Sequence, residues 1–379
     1  MSLRVLIVVT HLLGAGHLTR AAAIAHGLAE AGHEVTLVSG GRPTALIRTG
    51  AFRLVQLPPV QAAAGDFRTL LDAAGEPVGP AHLAERRKLL LAALAETRPQ
   101  VVLTELFPFG RRVLTSEFEP LLEAAQKVRP RPLILSSVRD ILAPPSRPEK
   151  AAETHAILAR CYDAVLVHGD PTLAALEASW PVGFGVGAPL LYTGYVDPDG
   201  EPAPAVESGE ILVSGGSSAA ALPLYRAALD AARLIVDRPW RVLVGLGVGV
   251  NEVGALGAAC PPNVVLEPAR PDFRALMAAS SLFVGQAGYN TAVDLLASRP
   301  RAVLVPFEEG GETEQRIRAD MLAERGMATV LPEAELSGER LAASIQASLA
   351  RPRPVPGTIS RNGVRRTAEL VAELARMRP

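Results

Sequence analysis

The stretch Leu282–Gln315, LFVGQAGYNTAVDLLASRPRAVLVPFEEGGETEQ, limits what this chain can fold into more than any other. A short apolar run ends in glycine, a small polar loop follows, and a helix opens with Asp294 one turn inside it. A second apolar run, Ala302 to Val305, breaks at Pro306 into an acidic, glycine-bearing loop that ends at Glu314 and Gln315. These are two successive strand-to-helix turns. In an open parallel sheet, ligands bind outside the carboxyl ends of the strands, where helix N-termini present unpaired amides and a positive dipole end. Two such turns in tandem, each followed by an acid placed to grip hydroxyls, predict a site for a phosphorylated sugar compound.

At 379 residues the chain is too long for one ordinary core, and two domains of roughly 150 to 200 residues are expected. A net charge of -1 argues against a nucleic-acid partner, because affinity for a phosphate backbone needs a basic face. The basic clusters Arg86, Arg87, Lys88 and Arg365, Arg366 read as solvated helix faces, with an anion or membrane-surface patch as the alternative. Cys161 and Cys260 lie in different predicted domains without metal-ligand spacing, which fits a reducing cytoplasm and no disulfide. The start, MSLRVLIVVTHLLGAGHLTRAAAIA, has the superficial make-up of a signal peptide. Its apolar run breaks at Thr10 and His11 and helical period follows, so strand, loop and helix are expected instead. No run approaches about 18 apolar residues, so no spanning segment is expected. The location implied is cytoplasmic, with peripheral contact at the inner membrane face left open.

From the N-terminus, Arg4 to Val9 is a continuous β-branched and leucine run, the pattern of a strand buried on both faces. A loop, His11 to Gly16, leads to a helix with apolar positions from Leu18, stopped at Gly32. Val35 to Val38 is the next strand, so the unit is a βαβ with Gly14 and Gly16 at its first turn. Glycines there let a backbone come close to a ligand, and the helix start offers free amides. Arg20 sits in the first turn, where the helix dipole disfavours a cation, so an anion is expected beside it. His17, between the glycines and the helix, is placed to act as a general base on a hydroxyl or water; capping the loop is the plainer alternative.

Further strands are expected at Arg53 to Leu57, Val101 to Thr104, Leu133 to Ser136 and Ala164 to Val167. The segment from Pro58 to Pro80 is rich in small residues and poorly periodic, and reads as a mobile loop with short helical pieces. Each later strand ends in polar groups: Glu105 and then FPFGRR, which includes Arg111; Ser137 and then Val138, Arg139 and Asp140; His168 and then Gly169 and Asp170. Strand ends of one parallel sheet share an edge. Glu105, Arg111, Arg139, Asp140 and His168 are therefore candidates for the acceptor side of a site, against the alternative of caps and ion pairs. Pro181 to Pro204 reads as a linker. Its Asp197-Pro198-Asp199 resembles a metal-binding aspartate pair but lies in a proline-rich segment, so a turn is expected.

The second half restarts with Glu210 to Val213 and the loop Ser214-Gly215-Gly216-Ser217-Ser218, a phosphate cradle in physical terms or a serine-capped turn. Strands at Arg241 to Leu246, Val264 to Leu266, Leu282 to Val284, Ala302 to Val305 and Ala328 to Leu331 complete a second parallel sheet. A final helix, about Asn362 to Met377, follows a proline-rich segment from Pro352 to Pro356.

This order of motifs resembles the GT-B glycosyltransferases, above all the MurG-like and family 28 branch. A GxGH turn opens the first βαβ domain and a GGS loop the second, and AGYNTAVD and PF…EQ follow. The resemblance spans almost the whole chain and is most specific over Val213 to Ser217 and Gly285 to Gln315. It implies an α/β fold of two Rossmann-like, doubly wound parallel-sheet domains facing across a cleft. The first, acceptor-side domain would cover 1–195 and the nucleotide-sugar domain 196–357, with 358–379 a helix returning to the first domain and a hinge near Pro198 to Pro204. By position, Gly16 and Gly215, Gly216 and Ser217 would face the donor diphosphate. Gln286, Gly288, Asn290 and Thr291 would lie against diphosphate and sugar. Asp294 stands where the family usually has a ribose-gripping glutamate, Glu314 and Gln315 match the pair that bonds sugar hydroxyls, and the stretch from Leu266 to Ala269 would read the base. His17 would be the base in an inverting, metal-independent transfer from a nucleotide sugar, UDP-linked by preference, to an unidentified acceptor hydroxyl. The resemblance implies no cofactor.

The same GxGHxxR pattern resembles nucleotide-sugar hydrolases that activate water with this histidine. The FPFGRR segment and the polar strand ends fit a larger acceptor better. A non-hydrolysing epimerase needs carboxylates on both faces of the sugar, and only Glu105 suggests itself. A non-catalytic nucleotide-sugar binder would keep Asp294, Glu314 and Gln315 and have no use for His17. One fold hosts many functions, so the site must decide.

Overall fold

The computed structural model describes every residue except 1, 45, 46, 48, 64, 65, 184, 204, 356 and 379, and describes residues 66–68 by their backbone alone. The expected linker and hinge end on Pro204, and the proline-rich segment ends on Pro356; both residues lie outside those described. The chain divides into two compact units, Met1–Pro198 with Ser360–Pro379, and Asp199–Ile359.

The first unit runs β1 (Arg4–Val9), α1 (Gly16–Glu30), β2 (Glu34–Ser39), β3 (Arg53–Gln56), β4 (Gln61–Ala63), β5 (Asp66–Leu71), α2 (Pro80–Thr97), β6 (Val101–Glu105), α3 (Thr115–Lys127), β7 (Leu133–Arg139), α4 (Pro148–Cys161), β8 (Ala164–His168) and β9 (Leu190–Tyr192). Seven strands form one sheet in the order β3-β2-β1-β6-β7-β8-β9, and every neighbouring pair is parallel. Successive residues of a strand face opposite sides. Leu6 and Val8 accordingly enter one core and Val5, Ile7 and Val9 the other, which is why β1 has to be apolar throughout. The chain leaves β1 for β2 on one side and later returns to place β6 on the other. That reversal is the switch point at which such sheets bind ligands.

The second unit runs β10 (Ile211–Ser214), α5 (Leu222–Leu234), β11 (Trp240–Val244), α6 (Val250–Ala258), β12 (Val264–Pro268), α7 (Phe273–Ala279), β13 (Leu282–Gly285), α8 (Tyr289–Ser298), β14 (Ala302–Leu304), α9 (Glu314–Glu324), β15 (Thr329–Val330) and α10 (Gly338–Leu349). Its six strands are ordered β12-β11-β10-β13-β14-β15 and are again parallel. The switch point here lies between β10 and β13, which puts the Gly215–Ser218 loop beside the Gln286–Gly288 turn. The last helix, α11 (Gly363–Arg376), packs on α1 in the first unit.

Four local expectations are corrected. Between Pro58 and Pro80 the chain forms the antiparallel pair β4 and β5 instead of short helical pieces. The segment read as a linker from Pro181 contributes β9, the edge strand of the first sheet, and Thr193 to Val196 behind it are buried. The short length of both elements hid their alternation. Arg86 is not on a solvated face. It is fully buried, holds both carboxylate oxygens of Glu117 at 2.6 and 3.0 Å and donates to Gly40 O at 2.8 Å. Finally, α1 opens at Gly16, two residues before the apolar period begins, so His17 lies inside its first turn. The Asp197 carboxylate pairs with Arg361 of the returning segment, in keeping with a turn at Asp197-Pro198.

Candidate functional site

At the switch point of the first sheet, α1 delivers His17 and Arg20, and β6 ends in Glu105. Arg20 and Glu105 are almost fully buried, and the His17 ring is 13% exposed. The anion expected beside Arg20 is Glu105, whose Oε1 takes both the Arg20 guanidinium and, at 3.0 Å, His17 Nδ1. Arg20 Nη2 also lies 3.1 Å from Nδ1, but it is held more closely by Glu105 Oε1; an ionised carboxylate only accepts, so Nδ1 carries the imidazole proton and Nε2 is left as a lone-pair acceptor. Among the described residues nothing bonds Nε2.

The same surroundings keep the ring neutral. Burial and the nearby Arg111 guanidinium hold the His17 pKa well below the ordinary histidine value, with smaller contributions from Arg139 and Arg20; the Glu105 bond opposes them. The ring also sits in a helix first turn, where the dipole disfavours a cation. Glu105 stays ionised for the converse reason: burial would raise its pKa, but Arg20, His17 and Ser137 outweigh burial and push it far below the usual carboxylate range. A neutral imidazole whose outer nitrogen is basic and whose inner nitrogen is tied to an anion is the arrangement that lets a histidine accept a proton.

The loop after β6 shapes this corner. Leu106 and Arg111 both have positive φ, 69° and 62°, a conformation that costs a side-chain-bearing residue about 1 kcal/mol or more. Leu106 N–H donates to Ser137 O at 2.8 Å, and Arg111 Nε donates to Thr10 O. These bonds hold the turn and bring Arg111 to the loop that carries His17.

Of the five expected acceptor-side groups, Arg111 and Arg139 act on His17 through their charge. The other three are buried. Glu105 lies behind His17, and His168 contacts Ser137 and Thr193. Asp140 accepts from Ile141 N and from the Tyr195 hydroxyl at 2.8 and 2.9 Å. Asp140 is a cap, and Glu105 and His168 reach the surface only through other residues.

In the second unit, Gly216 has φ +76°, a conformation glycine adopts freely. The Gly215–Ser218 loop meets a second glycine loop that sequence reading missed, Gly245-Leu246-Gly247 after β11. Gly247 N–H donates to Ser217 O at 3.0 Å, and a Cβ on Gly245 would fall 2.1 Å from Gly216 O. Beneath both loops lies Tyr225 of α5, fully buried, whose hydroxyl accepts from Gly215 N and Gly245 N at 3.2 Å each. The glycines at the end of the β11 run were a visible signal; Tyr225 looks like any other core position of α5.

At the second turn of this site, α8 opens after Gly288 without a side-chain cap, so its first-turn amides, including those of Asn290 and Thr291, are open to an anion. Gln286 is buried and points Nε2 towards Ala220 O at 3.5 Å. Gln315 Oε1 accepts from Ala287 N at 3.0 Å and Phe307 N at 3.2 Å, stapling together the turns that follow β13 and β14. That fixes its amide orientation and leaves both Nε2 hydrogens for another acceptor. Glu314 is buried. Asp294 is not idle: its Oδ1 takes Arg274 Nε and Nη2 at 2.9 and 2.8 Å. Leu266 packs against the core of the unit from the middle of β12, and the strand ends two residues later at Pro268. Among the described residues no group of three His, Cys, Asp or Glu side chains is placed to hold a metal ion, and no helix is long and apolar enough to cross a membrane.

Comparison with known proteins places this geometry. Residues 210–370 match the glycosyltransferase family 28 C-terminal domain. The UDP-N-acetylglucosamine–N-acetylmuramyl-(pentapeptide) pyrophosphoryl-undecaprenol N-acetylglucosamine transferase of Aromatoleum aromaticum is 35% identical over 145 residues, which is 38% of this chain and 40% of that protein. Its namesake from Bacillus subtilis is 32% identical over 136 residues, 35% and 37% of the two chains. The chain thus spans about two fifths of the curated relatives it matches. Among solved structures, Acinetobacter baumannii MurG superposes with a TM-score of 0.59 at 17% identity, covering 99% of this chain and all of that one. The kitacinnamycin glycotransferase gives 0.62 at 19% identity with both chains fully covered. Residues 210–370 are thus similar to the glycosyltransferase family 28 C-terminal domain, and the chain has the two-domain GT-B fold of these structures.

Proposed function

We propose that this protein is a glycosyltransferase that moves a sugar from a nucleoside-diphosphate sugar to an acceptor hydroxyl, with inversion and without a metal. The observation that carries the reading is His17, a neutral imidazole with Nδ1–H on Glu105 and Nε2 available, in a chain whose residues 210–370 match the family 28 C-terminal domain. The acceptor hydroxyl gives its proton to His17 Nε2 as its oxygen bonds to the anomeric carbon. The bond from that carbon to the diphosphate oxygen breaks on the opposite face, and the nucleoside diphosphate leaves with the electron pair. Uncapped amides at the start of α8 and the Gly215–Ser218 loop would meet the charge growing on the diphosphate. Gln315 Nε2 would bond a sugar hydroxyl, and Asp294, held by Arg274, the ribose.

UDP is the first nucleotide to test, from the names of the curated relatives. Thymidine diphosphate is the second, because a solved GT-B structure, the glycosyltransferase VinC, contains it. The acceptor panel should contrast a polyprenyl-diphosphate-linked sugar with soluble aglycones. A ligand at about a hundred times its dissociation constant stabilises its site by roughly 2.7 kcal/mol, so the right nucleotide raises the unfolding midpoint and Asp294→Ala removes that rise. His17→Ala should cut transfer by about a hundredfold or more, the scale of a lost general base, with nucleotide binding unchanged. Full turnover in that variant would refute the role of His17, and no stabilisation by any nucleotide diphosphate at millimolar concentration would refute the donor site.

A further inference from the structure

Glu105 does not end the chain of polar groups behind His17. Its second oxygen, Oε2, accepts from Ser137 Oγ at 2.6 Å. Ser137 has one proton and spends it there, so its 2.8 Å contact with His168 Nε2 makes that nitrogen the donor. His168 Nδ1 then lies 2.8 Å from the Thr193 hydroxyl, which also reaches Gly194 O at 2.9 Å. Donation therefore runs in one direction from His168 through Ser137 to Glu105, and His17 donates to the same carboxylate from the other side. Ser137, His168 and Thr193 are at most 1% exposed. Nothing in packing alone asks for a serine and a histidine at the ends of β7 and β8. A buried polar chain of this kind transmits a change at one member to the next.

We infer that Ser137 and His168 are positioning residues which set the proton affinity of His17 through Glu105. The inference rests on the reading of His17 as the base. Each donor that bonds Glu105 draws negative charge away from the oxygen facing His17. Removing Ser137 Oγ makes Glu105 a stronger acceptor, tightens its bond to Nδ1–H and raises the affinity of Nε2 for a proton. Removing His168 only weakens the polarisation of the Ser137 hydroxyl, so the same change follows at smaller size. The other charges facing His17 are Arg20 on its own helix, Arg111 in the loop after β6 and Arg139 on β7; Arg20 and Glu105 also face His168. All of these stay in place in the variants.

The test uses the free protein labelled with 15N-histidine, with the His17 ring assigned by the signal lost in His17→Gln. At pH 7 the His17 Nδ1–H proton should move downfield in Ser137→Ala, less so in His168→Phe, and not in Ser137→Thr, which keeps the hydroxyl. The His17 titration midpoint should rise in the same order, by about half to one pH unit in Ser137→Ala. If Ser137→Ala does not fold, His168→Phe against Ser137→Thr decides. A His17 ring that is unmoved in folded variants, or that moves more in His168→Phe than in Ser137→Ala, overturns the coupling. Where transfer is measurable, the acid limb of kcat/KM should follow the ring. Rings that move while the limb stays would instead sink the role of His17 as base, so the two ideas fail separately.

Discussion

Tyr225→Phe tests how the second unit builds its two glycine loops. The substitution removes one oxygen and leaves the ring, so it creates no cavity of consequence. What it deletes is the shared acceptor of Gly215 N–H and Gly245 N–H, each at 3.2 Å, beneath a residue with no solvent exposure. A buried donor left without a partner costs about 1–3 kcal/mol. Two would cost at most about twice that, but both bonds are long and Gly216 above them is exposed, so the loops can shift to admit water. A loss of about 2–3 kcal/mol is expected, which for a unit of this size lowers the midpoint by roughly 5–10 °C. Trp240 lies in this unit and Trp180 in the other, both buried, so fluorescence in a Trp180→Phe background follows the second unit alone. Hydrogen exchange should show faster exchange at the Gly215 and Gly245 amides in particular. If the loops hold the donor diphosphate, nucleotide affinity falls by up to about tenfold as their order is lost. A stability loss below about 0.5 kcal/mol with both amides still protected would refute the account, because the hydroxyl would then not be what ties together the loops after β10 and β11.

The remaining expectations follow the same logic. Gln315→Glu keeps an acceptor for Ala287 N and Phe307 N but loses the amide hydrogens, so the fold and nucleotide affinity should survive while KM for the donor sugar rises severalfold; loss of nucleotide binding would make the residue only a staple. Arg86→Met strands the Glu117 carboxylate in the core and should cost about 3–5 kcal/mol, whereas Arg86→Met with Glu117→Leu should recover most of it; equal losses in the single and double variants would contradict a paired, buried charge. His168 is pushed down to about 3, by burial first and by Arg20 next, and His17 is lowered too. Below about pH 6.5, and for His168 down to about 3, these rings bind more protons in the unfolded chain than in the folded one, so stability should fall as pH falls, by at most about 1.4 kcal/mol per unit for each ring. His168→Gln should flatten that slope in urea titrations of the first unit, and an unchanged slope would show that His168 does not stay neutral.

The contrast between what the sequence disclosed and what it concealed has a physical basis. Strands buried on both faces, such as Arg4–Val9 and Leu282–Gly285, must be continuously apolar, and the turns after them must carry glycine. Both parallel sheets and the loops at their switch points were therefore legible. Short edge elements carry too few residues to show a period, and β4, β5 and β9 were missed for that reason. Polar groups buried in pairs are harder still. Arg86 reads as surface until Glu117, a helix away, is known to meet it, and Glu105 reads as an acceptor-side acid until Arg20 and His17 are found on the same oxygen. The expectation of an anion beside Arg20 held, although α1 opens at Gly16 and puts Arg20 just past the first turn, where the cost it was argued from is smaller. It could not name the anion, because the partner is 85 residues away and only the sheet order, with β6 beside β1, brings it there. The same sheet order places Ser137 and His168 on the strands next to it. With the order β1-β6-β7-β8 fixed first, Glu105 stands opposite Ser137, and His168 two residues further along on the next strand, which gives reason to ask what these groups do to the histidine in front of them.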